Sequence, residues 1–293
     1  MSIRTERLRR SSLAGPTEFV NAAAANGYGT RATAPKGIDI RDLSVQYAGG
    51  RGQAGTYALD AVSFRVEPSE FVAIVGPSGC GKSTLLKAVG GLIAPSAGTV
   101  TFDGSATASD ERIGFLFQSD ALFPWKTALE NVEVAVRLGG GEKRRSREIG
   151  TDLMTELGLG DACKKYPHEL SGGMRKRVAL ARTLAYEPSV FLMDEPFGAL
   201  DAQTRVTVGN FFLSILERSK QSVVFVTHDI EEAVTLADRV IALSAGPGSH
   251  ISDEVVIDLP RPRDYYESRF HPSAVDYQRR LWDAIGYGKG TDK

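Results

Sequence analysis

Cysteine is scarce in this chain: Cys80 and Cys163 are the only two among 293 residues. Two thiols cannot build a disulfide framework, and such usage suits a reducing, cytoplasmic compartment. An excess of one charge is missing as well. Lys and Arg total 35 against 36 Asp and Glu, for a net charge of −1, so no global basic field favours nucleic acid or an anionic membrane. Long uninterrupted apolar runs are also lacking. Residues 71–75 and 223–226 are strand-sized, far short of the ~20 residues a membrane span needs. No internal repeat is visible. The chain is still long and apolar enough for one large core or two modest ones.

The first 36 residues stand apart. Arg4, Arg7, Arg9, Arg10, Arg31 and Lys36 face only Glu6 and Glu18, in a stretch rich in Ala, Gly, Ser and Thr. No apolar segment follows Arg9-Arg10, as an export signal would require, although the Arg/Ser-rich composition has a transit-peptide flavour. The segment reads as a disordered tail.

From residue 37 the pattern becomes regular. Residues 38–47 and 57–67 read as two strands, antiparallel to each other, around a Gly-rich loop at 48–55. Residues 71–75 are wholly apolar, as buried parallel strands are, and a helix follows from about Lys82. Residues 98–103 and 112–117 are further strands. Residues 127–138, 146–157 and 171–186 have helical period and form a mostly helical insertion over about 120–185. Strands at 190–193 and 222–227, helices at 202–217 and 230–237, and late strands at 239–243 and 251–259 complete an α/β core around a mostly parallel sheet. Residues 264–285 read as a helical tail whose aromatic residues dock on the core. The basic run Glu142–Glu148 reads as a solvated helix face.

The chemistry begins at a glycine-rich loop. Gly76, Pro77, Ser78, Gly79, Cys80, Gly81, Lys82, Ser83 and Thr84 fit G-x-x-x-x-G-K-[ST] without a mismatch, after an apolar strand and before a helix. Glycines let backbone N–H groups curl around phosphate oxygens, and the helix N-terminus adds partial positive charge. Lys82 reaches the β- and γ-phosphates, Ser83 ligates Mg²⁺, and Thr84 hydrogen-bonds the phosphates. Further on, an apolar strand runs into Asp194-Glu195, which places two acids at the carboxyl edge of the sheet beside that loop. Asp194 is expected to hold Mg²⁺ and Glu195 to activate the attacking water.

With Leu170, Ser171, Gly172, Gly173 and Met174 added, residues 38–260 resemble the nucleotide-binding subunit of ABC transporters. The resemblance implies a P-loop NTPase core, α/β, with an antiparallel β-subdomain and an inserted α-helical subdomain. It implies ATP and Mg²⁺ as ligands. It also implies that Ser171, Gly172, Gly173 and Met174 contact the γ-phosphate held by a second copy. By the same resemblance Gln118 senses Mg²⁺ and water, His228 contacts the γ-phosphate, Asp201 communicates across a homodimer, and Tyr47 stacks on adenine, with Tyr57 as the alternative. Lys82, Gln118, Glu195 and His228 form the catalytic set; Ser83, Gln118 and Asp194 form the metal set. The sequence departs from the family at Met174, where Gln is common, and at Gly198, where Ser is usual. Cys80, near Lys82 and a helix N-terminus, is expected to be a reactive thiol.

The segment 121–131 and the run Leu259 to Arg263 resemble the nitrate, sulfonate and taurine branch of bacterial importers. That branch implies a separate transmembrane permease docking near Phe123, Pro124 and Trp125. It also implies an extracytoplasmic solute-binding protein, a peripheral position on the cytoplasmic face of the membrane, and no nucleic-acid partner. A non-transport ABC ATPase and an exporter subunit are the competing classes. Nitrate, alkanesulfonate, taurine, bicarbonate, a thiamine precursor and an aromatic acid all remain open as solutes. The domains expected are a tail at 1–36, an ATP-binding domain at 37–260 and a C-terminal helical extension at 261–293.

Overall fold

The computed structural model describes residues 34–48, 55–103, 108 and 111–286. The tail expected at 1–36 lies, up to residue 33, outside the described residues, as does most of the Gly-rich loop at 48–55.

Two sheets organise the chain. The smaller is antiparallel, in the order β2 (Thr56–Val66), β1 (Ile38–Tyr47), β4 (Ala97–Phe102). The larger has six strands, in the order β5 (Ile113–Leu116), β6 (Val190–Asp194), β7 (Ser222–Val226), β3 (Phe71–Val75), β8 (Arg239–Leu243), β9 (Ile251–Val256). All its pairings are parallel except β8 with β9. The uniform hydrophobicity of β3 now has its cause: both faces are buried. Phe71, Ala73 and Val75 join one core, which the helices cover. Val72 and Ile74 join a second core, which the antiparallel sheet and α1 (Lys82–Val89) cover. β6 and β7 alternate in the same way, so the sheet is a shared wall between two cores.

Helices α2 (Ala128–Leu138), α3 (Lys143–Glu156) and α4 (Gly172–Ala185) are inserted between β5 and β6. α2 opens with a full capping box: Thr127 accepts from the Glu130 N–H while Glu130 accepts from that of Thr127. α3 begins three residues before the expected start, because Lys143, Arg144 and Arg145 favour helix although they add nothing to its apolar period. α5 (Ala202–Ser219) and α6 (Ile230–Leu236) cover the parallel sheet.

The expected single tail helix at 264–285 is not what forms. Asp264 accepts from the N–H groups of Tyr266 and Glu267, starting a short 3₁₀ turn at Glu267–Phe270. Pro272 then opens α7 (Pro272–Ala284), with His271 as its cap. A proline has no N–H and forces its predecessor out of helical geometry, so one continuous helix is impossible there. The last expected strand also stops early, at Val256.

Candidate functional site

The loop between β3 and α1 curls around the Lys82 side chain. Lys82 is buried, and its Nζ donates to the carbonyls of Gly76 at 2.7 Å and Pro77 at 2.8 Å. The curl demands glycine at two places: Gly79 has φ +76° and Gly81 φ +93°, and a side chain on Gly81 would press on the Ala58 carbonyl. No side chain caps α1, and its first turn holds no acid. Its N–H groups and dipole therefore face the loop with no acid of the helix itself competing for them.

Ser83 and Asp194 meet across the sheet edge. The Ser83 hydroxyl donates to Asp194 Oδ1 at 3.0 Å. Asp194 is buried at the end of β6, and that burial raises its carboxyl pKa above the ordinary value. A buried carboxylate with an incomplete set of donors favours a nearby cation. The oxygen donors here are a hydroxyl, a carboxylate and, close by, the Gln118 amide. This hard set suits Mg²⁺, which uses few protein ligands beside substrate phosphates. Among the described residues no group of three or more His, Cys, Asp or Glu could hold a metal.

Glu195 is the meeting point of the catalytic set. Its φ is +48°, a left-handed conformation that is uncommon and costly for a side-chain-bearing residue. Its N–H donates to the Val226 carbonyl of β7 at 2.9 Å, which holds the turn. The turn sends the carboxylate outward between two partners. Gln118 Nε2 donates to Oε2 at 3.2 Å, and His228 Nδ1 lies 3.0 Å from Oε1. A carboxylate only accepts, so the Nδ1 of His228 carries a proton in this contact. Two residues distant in sequence, Gln118 and His228, thus converge on one carboxylate.

Tyr47 ends β1, half exposed, with its hydroxyl 3.1 Å from the Thr84 hydroxyl. Tyr57 lies across the ladder, paired with Gln46. The geometry brings Tyr47 to the phosphate loop. Ser171 is exposed and caps α4, accepting from the Met174 N–H at 3.3 Å, and Gly172 and Gly173 form the partly buried first turn. Among the described residues no hydrogen bond joins this turn to the phosphate loop of the same chain. Asp201 caps α5, accepting from Thr204 N–H at 3.0 Å, and these bonds hold its carboxyl pKa down.

The expectation for Cys80 is overturned. Its thiol is buried, and burial raises its pKa despite the neighbouring Lys82. Desolvation of the thiolate outweighs the attraction of the ammonium.

Lys176 is a participant that motif reasoning does not single out. It is buried in α4, and its Nζ donates to the carbonyls of Phe117 at 2.8 Å and Gln118 at 3.0 Å. Arg175 pairs with Asp120, and Arg182 donates to the carbonyls of Ala121 and Asp120. One face of α4 thus staples the segment that carries Gln118. A run of cations just after a helix cap is the only sequence signal for this, and it looks like a solvated face. Beyond the staple, Phe123 and Trp125 stack obliquely at 5.7 Å, and Trp125 is 71% exposed. Buried Asn131 shapes this loop by bonding Phe123, Lys126 and Thr127 backbone groups.

Comparison with known proteins follows the same line. The sequence profile of the family described as "ABC transporter" matches residues 59–198. The uncharacterized ABC transporter ATP-binding protein MJ0412 of Methanocaldococcus jannaschii is 45% identical over 230 residues, 78% of this chain and 84% of that protein. The chain belongs to the ABC transporter ATP-binding family. Among other ABC relatives, the nitrate import ATP-binding protein NrtD of Synechocystis is 42% identical over 79% of this chain and 86% of that protein. The bicarbonate transport ATP-binding protein CmpC of Synechocystis is 43% identical over 74% of this chain but only 33% of its own length. The dimeric post-hydrolysis structure of the cassette MJ0796, bound to ADP and Pi, superposes with TM-score 0.69. It is 32% identical and covers 75% of this chain and 98% of that one. The protein is therefore an ABC ATPase that binds and hydrolyses ATP. Among its described residues no helix is long and apolar enough to cross a membrane.

Proposed function

We propose that this ABC ATPase energises a separate permease that imports small anions or organic solutes of the nitrate, sulfonate or taurine kind. Support comes from the 42% identity to a nitrate import ATP-binding protein across 79% of the chain. The exposed Trp125 beside the stapled Gln118 segment gives such a permease an apolar foothold next to the site.

The observation that carries the chemistry is the convergence of Gln118 and His228 on Glu195. Lys82 and the N–H groups of its loop hold the ATP phosphates. Tyr47 offers its ring to adenine. Ser83, Asp194 and Gln118 would hold Mg²⁺, which would supply neutralising charge for the phosphates. Glu195 takes a proton from the attacking water as that water bonds to the γ-phosphorus, and the bond to the bridging oxygen breaks to leave ADP and phosphate. His228 keeps the Glu195 carboxylate aimed and offers its ring to the γ-phosphate.

The family resemblance assigns Ser171, Gly172, Gly173 and Met174 to a phosphate held by a second copy, and the capped glycine turn that opens α4 offers N–H groups suited to such an anion. Two chains then enclose two ATP molecules about a two-fold axis, with Asp201 near the shared face. The cassette MJ0796 is dimeric in its ADP-bound and Pi-bound structure. Mass spectrometry of what co-purifies with the chain from gently solubilised membranes tests the importer reading. A multi-span permease is the expected partner. Recovery only with ribosomes, DNA or soluble enzymes overturns importer function while leaving the ATPase intact.

A further inference from the structure

Behind the site, residues 257–265 run as a strap along α6 and back to α5. Arg263 is buried and donates to the carbonyls of Leu236, Ala237 and Ile257. The strap ends in Tyr265, which is fully buried although it carries a hydroxyl. Its N–H donates to Asn210 Oδ1 at 2.6 Å. Its ring lies over Gly209 of α5, where a Cβ would overlap it. The ring also meets Phe197 edge-on at 5.9 Å, two residues beyond Glu195.

The Tyr265 hydroxyl donates to Glu232 Oε1 at 3.1 Å. Glu232 is buried in α6, and its other oxygen accepts from the Thr227 hydroxyl at 2.9 Å. Thr227 Oγ1 in turn accepts from the Asp229 N–H at 3.0 Å. Thr227 and Asp229 flank His228 on either side. Arg205 of α5 lies 3.6 Å from Glu232 and 3.7 Å from Asp229, and it donates to the Leu200 carbonyl just before Asp201. A hydroxyl and a carboxyl are poor choices if the space needed only filling, because both must be desolvated and paired.

We propose that Tyr265, acting through Glu232, is a positioning residue for His228. Its ring backs the Glu195 turn through Phe197, and its hydroxyl sets the loop 227–229 through Glu232 and Thr227. The strap thereby holds the two partners of the Glu195–His228 contact in register. This rests on the role given to His228 above.

The test uses the full-length chain. Tyr265→Phe keeps the ring and removes the single hydrogen bond. Turnover at saturating ATP is expected to fall about fivefold to tenfold, the worth of one buried hydrogen bond, with KM for ATP changed less than about twofold. The His228 imidazole resonances are expected to shift or split in the same variant. Glu232→Gln, as a second variant, is expected to reproduce the loss of turnover. Tyr266→Phe, at the exposed residue just beyond the strap, is expected to leave turnover unchanged. Folded Tyr265→Phe protein with normal turnover and unmoved His228 resonances overturns the proposal, even if its melting temperature is lower. His228→Ala is the arm that separates the two claims. Full turnover in it sinks the role of His228 itself; lost turnover in it beside normal Tyr265→Phe sinks only the positioning role.

Discussion

Lys82 and Cys80 sit two residues apart on the same curl, yet their surroundings act on them differently. The ammonium has two carbonyls to donate to, whereas for the thiol burial outweighs the donation it accepts from Lys82 Nζ at 3.8 Å. Lys82→Ala removes the positive charge from the loop centre and leaves those carbonyls facing the phosphates. ATP turnover in that variant is expected to fall at least about 100-fold, measured by phosphate release. For Cys80 the expected chemistry is inertness. A maleimide at neutral pH should label the partly exposed Cys163 first and reach Cys80 only on unfolding, as peptide mapping of a time course would show. Rapid labelling of Cys80 in the folded chain would contradict its burial.

Secondary-structure elements carry the coupling between these residues. α4 bears the signature turn at one end and, through Lys176, grips the backbone of Gln118. Lys176→Met keeps the length and apolar stem but withdraws the donor from two carbonyls. Such a loss costs about 1–3 kcal/mol, so the melting temperature is expected to fall by several degrees and turnover to fall with it. α6 offers a pH test. Burial raises the Glu232 carboxyl pKa in the folded chain above its unfolded value. The native state therefore binds the proton more tightly than the unfolded chain. The stability this contributes is present below the unfolded pKa and is lost as pH rises through the folded one. Glu232→Gln has no such titration, so its melting temperature relative to wild type is expected to improve from pH 4.5 to 7.5.

How far these elements could be read in advance depended on what each one rests on. The phosphate loop, β3 and β6 were legible because local composition decides them: glycine spacing, or an apolar run ending in acids. Gln118, His228 and Asp201 were reachable only by resemblance, since nothing local distinguishes a strand-end Gln or His. The break before α7 is legible in Pro272, which the reading of 264–285 as one helical tail passes over. Lys176, Glu232 and Tyr265 were illegible for a different reason. The bonds from Lys176 to Phe117 and from Tyr265 to Glu232 join residues 59 and 33 positions apart, and only tertiary packing brings them together.

For the whole molecule, the proposed two-fold dimer makes the signature turn and the phosphate loop of one chain halves of different sites. Glu195→Gln keeps the shape of the residue but cannot take up a proton from water. The variant is expected to bind ATP, to turn over at least about 100-fold more slowly, and to accumulate as a dimer with ATP, measured by light scattering. A monomer under those conditions would argue against a shared two-fold site.

The sheet order has a consequence for synthesis. β3, which launches the phosphate loop, lies between β7 and β8, and its nearest hydrogen-bonding partner along the chain begins about 150 residues later. A ribosome adding roughly 5–20 residues per second would hold that strand without neighbours for about 10–30 s. The newborn chain therefore carries the strand that launches its phosphate loop without its sheet partners until the last third emerges.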